Sequence, residues 1–274
     1  MAANSPIGIF DSGVGGLSIA KEIRKLLPHE DLLYFADSAY CPYGEKLPTI
    51  IKDRVFAICD FLISKGAKML VVACNTASIV SLDDIRSYYK IPVIGVEPAV
   101  KPAVAATKTG TIGVLATGVT LSGDRFSSLV KRYGDQATVV TQPCPGLVEL
   151  VEKGQTIGPE TEAMLTNYLQ PLLNNNADTI VLGCTHYPFL RPLIHKLVGN
   201  DITVIDTGEA VARQTKRMLV NNDLQNDQTN DGQETIFTSG NVESVQPVVR
   251  LLWNKPSLEV KYIETGGVAN AVNR

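Results

Sequence analysis

Residues 67–74 read AKMLVVAC, and residues 177–184, 110 positions further along the chain, read ADTIVLGC. Each segment is a short run of aliphatic and β-branched residues that ends on a cysteine, a pattern typical of a buried strand. Two further pairs of segments match in the same order, at separations of 105 and 111 residues: 7–14 with 112–119, and 93–100 with 204–211. One such match is expected between any two apolar strands, but three in the same order predict an internal duplication.

Apolar runs of strand length alternate with longer segments whose apolar residues recur at the spacing of a helix. The predicted strands are 7–10, 31–35, 69–73, 92–96, 112–116, 138–141, 179–183, 203–205 and 234–238. The clearest predicted helices are 17–27, 47–65, 123–133, 159–174 and 210–220. This alternation indicates βαβ units and therefore sheets of mostly parallel strands.

The repeat and the alternation together predict an α/β fold of two similar domains, related by pseudo-twofold symmetry, with an active site in the cleft between them. We expect the first domain to be discontinuous, comprising residues 1–96 and 207–274, and the second to comprise residues 97–206. The stretch 221–233, rich in Asn, Asp and Gln, is predicted to be an exposed, mobile loop before the last strand.

The overall composition excludes several classes of partner. The formal net charge is −3 and the basic residues are scattered, so the chain lacks the positive patch that nucleic acids or anionic membranes require. Its apolar runs are far shorter than the roughly 20 residues that span a bilayer, and the N-terminal residues do not resemble a secretory signal. The sequence therefore predicts a cytoplasmic protein whose partner is a small molecule.

Five cysteines occur, at positions 41, 59, 74, 144 and 184, without CxxC pairs or the ligand spacing of a zinc site. We expect them to be reduced and to bind no metal. Cys59 falls on the apolar face of a predicted helix, where a buried cysteine usually acts as a small apolar residue. Cys41 and Cys144 lie in proline-containing loops, and the sequence leaves their roles open.

Cys74 and Cys184 each come at the end of a predicted strand, as do Asp11 and Ser12. Ligands of open parallel sheets bind beyond the carboxyl ends of the strands, so both thiols are expected in one cleft, on opposite walls. The N–H groups where a helix follows such a strand favour a substrate carboxylate and a lower thiol pKa. Two acid–base groups of the same kind on opposite faces suit the inversion of a carbon centre, because one removes a proton and the other returns one.

The glycine-rich turn DSGVGG at residues 11–16 does not predict a nucleotide site. Its spacing fails the GxGxxG pattern because Ser18 stands at the last position, and the turn lacks the lysine of a P-loop. The sequence therefore predicts a reaction that uses neither a dinucleotide nor ATP.

Five motifs, in order and over nearly the whole chain, resemble the glutamate racemases of the aspartate/glutamate racemase family. They are DSGVGG at 11–16, PYG at 42–44, ACNTA at 73–77, GCTHYP at 183–188 and TSG at 238–240. His186 favours glutamate as the substrate, because the related aspartate racemases tend to have an acidic residue there. The resemblance implies interconversion of L- and D-glutamate without pyridoxal phosphate or any other cofactor, a supply of D-glutamate for peptidoglycan, and a homodimer.

The resemblance also implies roles for individual residues. Cys74 would deprotonate the D-enantiomer with help from Asp11, and Cys184 the L-enantiomer with help from His186 and Glu152. The implied substrate pocket comprises Asp11, Ser12, Tyr43, Gly44, Asn75, Thr76, Thr117, Thr120, Thr185 and His186. Residues 116–123, which carry Thr117 and Thr120, only approximate the family's Ala-Thr-x-Gly-Thr pattern.

Other interpretations remain open on the sequence. The chain could be a racemase for aspartate or another small acid, a cysteine amidase or hydrolase that uses Cys184 and His186, or a non-catalytic protein that binds an acidic amino acid. Asp11 could simply cap the following helix, His186 could be a structural histidine, and Glu152 could be a surface charge.

Overall fold

The structure is a computed structural model, and it describes residues 2–265, which contain ten strands and eleven α-helices. The strands are β1 (Ile7–Asp11), β2 (Leu32–Ala36), β3 (Met69–Val72), β4 (Val93–Ile94), β5 (Thr111–Ala116), β6 (Thr138–Pro143), β7 (Thr179–Leu182), β8 (Thr203–Ile205), β9 (Glu234–Thr238) and β10 (Val260–Tyr262). The helices are α1 (Leu17–Leu26), α2 (Pro48–Ser64), α3 (Asn75–Tyr88), α4 (Val100–Ala106), α5 (Gly118–Ser122), α6 (Asp124–Tyr133), α7 (Leu147–Glu152), α8 (Pro159–Asn174), α9 (Arg191–Val198), α10 (Gly208–Asn221) and α11 (Val242–Trp253).

The strands form two sheets in which every pairing between described strands is parallel. The first sheet has the order β10-β9-β2-β1-β3-β4, and the second has the order β6-β5-β7-β8. The four strands β2-β1-β3-β4 therefore correspond to β6-β5-β7-β8. The prediction of an α/β fold built on two similar parallel sheets is confirmed.

The sequence repeat coincides with the pairing register of the two sheets. In the first sheet Gly8 of β1 pairs with Leu70 of β3, and in the second Gly113 of β5 pairs with Ile180 of β7. The last described strands extend the first sheet, because β9 pairs with β2 and β10 pairs with β9. The chain thus returns to its first half after completing the second. Met1 and residues 266–274, which the sequence analysis assigns to the first domain, lie outside the described residues.

Burial explains why the strands were readable from the sequence. All residues of β1, β3 and β7 are buried, since helices cover both faces of each sheet, and parallel strands of this kind read as continuous apolar runs. Complete burial of one large aliphatic side chain contributes about 1.5–3 kcal/mol. The strand ends that carry polar residues are therefore held on a well-packed core.

Several elements escaped the sequence analysis. Strand β10 has three residues, of which only Val260 is buried, so its sequence shows neither an apolar run nor an alternation of apolar and polar residues.

Residues 221–233 are mostly exposed, as predicted. However, Leu224 packs against the core, and the Asn226 N–H donates to Glu30 Oε1 at 2.8 Å. The mobility of this segment stays a prediction. Among residues 2–265, none of the helices combines the length and apolar character that crossing a bilayer requires.

Candidate active site

Cys74 and Cys184 occupy equivalent positions beyond the carboxyl ends of β3 and β7. Each lies two residues after the last residue of its strand, Val72 or Leu182. Both are buried, with 5% and 7% of their surface exposed, and both line one cleft. The structure thus brings together the two thiols that the duplication makes counterparts.

Nine of the ten residues assigned to the substrate pocket from the resemblance line this cleft. They are Ser12, Tyr43, Gly44, Asn75, Thr76, Thr117, Thr120, Thr185 and His186. The tenth, Asp11, is fully buried behind the lining, where it ends β1. Pro42, Val148 and Gly183 also line the cleft. Sequence reasoning missed these three because their side chains carry no acid, base or hydrogen-bonding group.

The Cys74 side chain caps the N-terminus of α3. Its sulfur accepts a hydrogen bond from the Ala77 N–H at 3.4 Å and lies 3.9 Å from the Ser12 hydroxyl oxygen. Burial raises the pKa of Cys74 well above that of an ordinary thiol, the charge of Asp11 adds to this rise, and the Ala77 N–H opposes it. Cys74 is therefore held in its protonated form at neutral pH.

Asp11 stands behind Cys74 and connects it to the other half of the chain. One carboxylate oxygen accepts a hydrogen bond from the Gly16 N–H at 2.8 Å, and the Thr185 hydroxyl lies 3.3 and 3.4 Å from the two oxygens. Burial raises the pKa of Asp11, while the charge of His186 and hydrogen bonds from Gly16 and Cys74 lower it, and the net direction is upward. The bond to Gly16 reaches the residue before α1, so Asp11 holds the turn that leads into the helix and also contacts the thiol.

Cys184 faces an imidazole instead of a carboxylate. Its sulfur lies 3.7 Å from His186 Nδ1, and His186 Nε2 lies 2.6 Å from Glu152 Oε1. The same Glu152 oxygen accepts a hydrogen bond from the Val14 N–H at 2.7 Å. Thiol, imidazole and carboxylate therefore form a connected line that crosses from the second half to the glycine-rich turn of the first.

The surroundings of His186 favour its charged form. Burial alone lowers the pKa of His186, but hydrogen bonds with Cys184, Cys41 and Glu152 outweigh it, and the net pKa is raised well above the ordinary value. A protonated imidazole 3.7 Å from the Cys184 sulfur is placed to exchange a proton with it. The carboxylate of Glu152 in turn supports the imidazolium.

The glycines of the turn 11–16 allow this close packing between halves. A Cβ atom on Gly15 would lie 2.2 Å from His186 Nδ1, and one on Gly13 would lie 2.0 Å from Glu152 Oε1. The turn 11–16, which does not match a nucleotide-binding motif, thus packs directly against the side chains of His186 and Glu152.

Three threonine hydroxyls that line the cleft lie close to one another. Thr76 Oγ1 lies 3.1 Å from Thr117 Oγ1 and 3.2 Å from Thr120 Oγ1, and the last two are 3.0 Å apart. A Cβ on Gly44 would lie 2.8 Å from Thr117 Cβ. Residues 116–123, which run from the end of β5 through α5, bring both threonines to the cleft despite their divergence from the family pattern.

Asn75 offers an unused acceptor to a ligand. Its side chain is buried and lines the cleft, yet its Oδ1 atom has no hydrogen-bond partner within the described part of the chain. An unsatisfied buried acceptor costs about 1–3 kcal/mol, and a substrate ammonium group would remove that cost.

Tyr43 contributes its ring to the cleft and its hydroxyl to a separate network. The hydroxyl donates to Asp37 Oδ2 at 2.6 Å, and Asp37 also accepts hydrogen bonds from Arg54 at 2.7 and 3.0 Å. The phenol therefore shapes the cleft wall without directing a polar group into it.

The remaining cysteines have different surroundings. Cys59 is buried in the core of the first half, as an apolar residue would be. Cys144 is buried near Cys184, and its thiol donates to the Gln142 carbonyl at 3.3 Å. Cys41 lies beside His186 and Glu152, and the sulfur, a ring nitrogen and a carboxylate oxygen of this cluster all lie within 4.8 Å of one another.

Comparisons with known proteins identify similar chains. Residues 17–215 match the family described as Asp/Glu/hydantoin racemase. A glutamate racemase of Pseudomonas putida strain F1 is 49% identical over 253 residues, which cover 92% of this chain and 95% of that protein. The solved structure of a glutamate racemase isoform from Bacillus anthracis superposes with a TM-score of 0.87 at 34% identity, covering 96% of this chain and 98% of the other. The glutamate racemase of Francisella tularensis in complex with D-glutamate gives a TM-score of 0.83 at 29% identity, with the same coverage.

Proposed function

This chain belongs to the Asp/Glu/hydantoin racemase family, and from that premise we propose that it interconverts L- and D-glutamate without a cofactor. Cys74 and Cys184 act on opposite faces of the α-carbon. The observation that carries this proposal is the meeting of the two thiols in one cleft, from equivalent strand ends of the duplicated halves.

The reaction proceeds by proton removal on one face and proton return on the other. The Cys184 thiolate takes the α-proton of L-glutamate, a planar carbanion forms, and the Cys74 thiol donates its proton to the far face to give D-glutamate. The reverse reaction begins at Cys74. Each turnover leaves the proton on the opposite thiol, so exchange with solvent or a reverse turnover restores the starting state.

The two thiols are assisted differently. His186, held by Glu152, supports the Cys184 thiolate through its positive charge and accepts or returns the thiol proton at Nδ1. Asp11 stands in the corresponding place beside Cys74, but it acts differently: its charge favours the protonated sulfur. Because it accepts a hydrogen bond from the thiol, it takes the proton of Cys74 when that sulfur acts as the base for D-glutamate, and returns it when Cys74 acts as the acid.

Glutamate suits the polar lining of the cleft. The N–H groups at the start of α3 stabilise a carboxylate and the charge that develops on it in the carbanion. Asn75 Oδ1 is free within the described residues to accept a bond from the ammonium group. The hydroxyls of Thr76, Thr117 and Thr120 offer donors to the second carboxylate. The relatives' names and the D-glutamate complex support this choice over aspartate.

A thiol hydrolase is the second candidate, because Cys184, His186 and Glu152 form a line of thiol, imidazole and carboxylate. Such an enzyme needs one nucleophile and one base. A hydrolase mechanism therefore gives no role to the buried thiol of Cys74. A hydrolase would keep its activity when Cys74 is replaced by alanine.

Incubation of the purified protein with L-glutamate in D₂O, with no added cofactor, tests the proposal. We expect loss of the α-proton signal in NMR spectra together with the appearance of D-glutamate on a chiral column. Absence of both would refute racemisation of glutamate, and the same assay with aspartate tests the alternative substrate.

The cellular setting is also part of this proposal. D-glutamate would supply peptidoglycan synthesis, and a mechanism with two reduced thiols favours the cytoplasm.

We further propose that two domains surround the substrate. The first comprises residues 1–96 and 207–274, and the second comprises residues 97–206. The expected homodimer rests on the family resemblance and is checked by sedimentation velocity.

A further inference from the structure

Cys41, Glu152 and His186 form a mixed cluster beside the cleft. Cys41 follows the short 3-10 helix Ser38–Tyr40, Glu152 ends α7, and His186 follows β7, so the cluster draws on both halves of the chain. One potential ligand atom from each residue lies within 4.8 Å of the other two. Cys41 does not line the cleft, so the thiol of this cluster is distinct from the two that face the substrate.

The donor set is that of a zinc ion. Zinc binds thiolate, imidazole and carboxylate in a tetrahedron with bonds of about 2.0–2.3 Å, which sets the distances between ligand atoms at about 3.4–3.6 Å. His186 Nε2 and Glu152 Oε1, now 2.6 Å apart, would separate by somewhat less than an ångström. The Cys41 sulfur, which lies within 4.8 Å of both partners, would draw in by at most about 1.3 Å. Side-chain rotation suffices for shifts of this size.

A separate open groove reaches one member of the cluster, Glu152. Ser38, Ala39, Ser239 and Tyr262 line this groove together with Glu152. The groove is lined by residues other than those of the cleft that holds Cys74 and Cys184. An ion can therefore approach Glu152 while the cleft is occupied or closed.

We propose that Cys41, Glu152 and His186 bind a zinc ion that inhibits the enzyme, with a water molecule as the fourth ligand. A zinc-bound imidazole no longer exchanges a proton with Cys184. If the ion takes Nε2, the Nδ1 proton is fixed, and if it takes Nδ1, that atom is blocked. The binding part of this proposal is independent of the reaction, whereas the inhibition part rests on the proposed function.

Isothermal titration with zinc chloride tests binding without using activity. We expect one zinc ion per chain in the wild-type protein and in the double variant Cys74→Ala/Cys184→Ala, which retains the cluster. In Cys41→Ser we expect affinity to fall at least about tenfold. Zinc binding that survives in Cys41→Ser and disappears in the double variant would place the ion on the cleft thiols and overturn the proposal.

Racemisation measured against zinc concentration tests inhibition, with each variant normalised to its own zinc-free rate. Half-inhibition of Cys41→Ser should require at least about ten times more zinc than half-inhibition of the wild type, and a chelator should restore wild-type activity. Cys144→Ser is the matched control, because it removes a buried thiol outside the cluster, and it should be inhibited like the wild type. Equal inhibition of all three proteins would contradict the proposal. If the protein does not racemise glutamate, the isothermal titration still tests whether Cys41, Glu152 and His186 bind zinc.

Discussion

The two walls of the cleft have the same backbone plan and different chemistry. Cys74 and Cys184 follow corresponding strands, yet Cys74 lies against a buried carboxylate, whereas Cys184 lies against an imidazole paired with a carboxylate. The chain also continues differently. Cys74 caps the 14-residue helix α3, whereas Cys184 leads into the short 3-10 helix Tyr187–Leu190.

The comparison separates what the two halves share, the positions of the thiols, from what differs between them, the side chains beside each thiol. Strand order and register fix where the thiols stand, so both halves keep them. A glutamate molecule is not its own mirror image, and in the proposed complex its carboxylates and ammonium group would meet unlike side chains on the two walls. The partners of the two thiols are therefore free to diverge, so that in the proposed reaction L- and D-glutamate meet different bases.

Replacing either thiol by alanine should break the pair and give the largest effect. Without one of the two acid–base groups, racemisation should fall by about 10³-fold or more. The remaining thiol still takes a proton and returns one to the same face. In D₂O, Cys74→Ala should therefore exchange the α-proton of L-glutamate only, and Cys184→Ala that of D-glutamate only, as NMR on each pure enantiomer measures. Exchange of both enantiomers by either variant would show that the thiols are not assigned to separate faces.

Glu152→Gln should slow proton transfer at Cys184 and leave proton transfer at Cys74 unchanged. We expect kcat/KM to fall by about 100-fold. The two enantiomers are equally stable in water, so kcat/KM must fall equally in both directions, and the asymmetry has to be read from isotope effects. Slower proton transfer at Cys184 should enlarge the effect of α-deuterium in L-glutamate and diminish it in D-glutamate.

Asp11→Asn is the matched variant on the Cys74 wall. It should show the opposite pattern, with the larger isotope effect in D-glutamate. The same isotope effects in both variants would mean that the two carboxylates do not serve separate thiols.

Gly15→Ala should disturb the His186 side by steric contact, since its Cβ would meet Nδ1 at 2.2 Å. A displacement of about 1 Å at a reacting group costs up to about 100-fold in rate, and partial relaxation of the loop makes a loss of about tenfold the expected result. Gly118→Ala is the control, because a Cβ there meets no atom within 4 Å. Equal kcat values for the two variants would exclude a steric role for Gly15.

Much of this arrangement could be predicted from the sequence, because each half contains an apolar strand segment that is followed directly by a polar turn. Cys74 with Asn75 and Thr76, and Cys184 with Thr185, stand within a few residues of a strand, so local pattern places them. Short elements such as β10 carry too few residues for a period to show.

Contacts between distant segments could not be predicted in the same way. Cys41 meets Glu152 and His186 only through packing of the two halves, since the three residues lie in unrelated segments. Val148 lines the cleft from α7 with no polar group to mark it. The glycines of 11–16 were recognisable as a turn, but the side chains that press on Gly13 and Gly15 come from the second half.

The smallest expected effect is a pH-dependent stability term that belongs to the Cys184 wall. Burial alone lowers the pKa of His186, but hydrogen bonds with Cys184, Cys41 and Glu152 raise it well above its unfolded value of about 6.5. A group whose pKa is raised on folding stabilises the protein fully below the unfolded pKa, and that contribution is lost as pH rises through the folded pKa.

The difference in Tm between wild type and His186→Asn should therefore be largest near pH 6 and should shrink toward alkaline pH, as differential scanning fluorimetry across a pH series measures. In a Glu152→Gln background one of the groups that raise the pKa is gone, so the same substitution should give a difference that varies less with pH. A difference that widens at high pH would mean that the buried imidazole is neutral in the folded protein. In that case Cys184 would lack a cationic partner, and the two walls would differ less than their hydrogen bonds indicate.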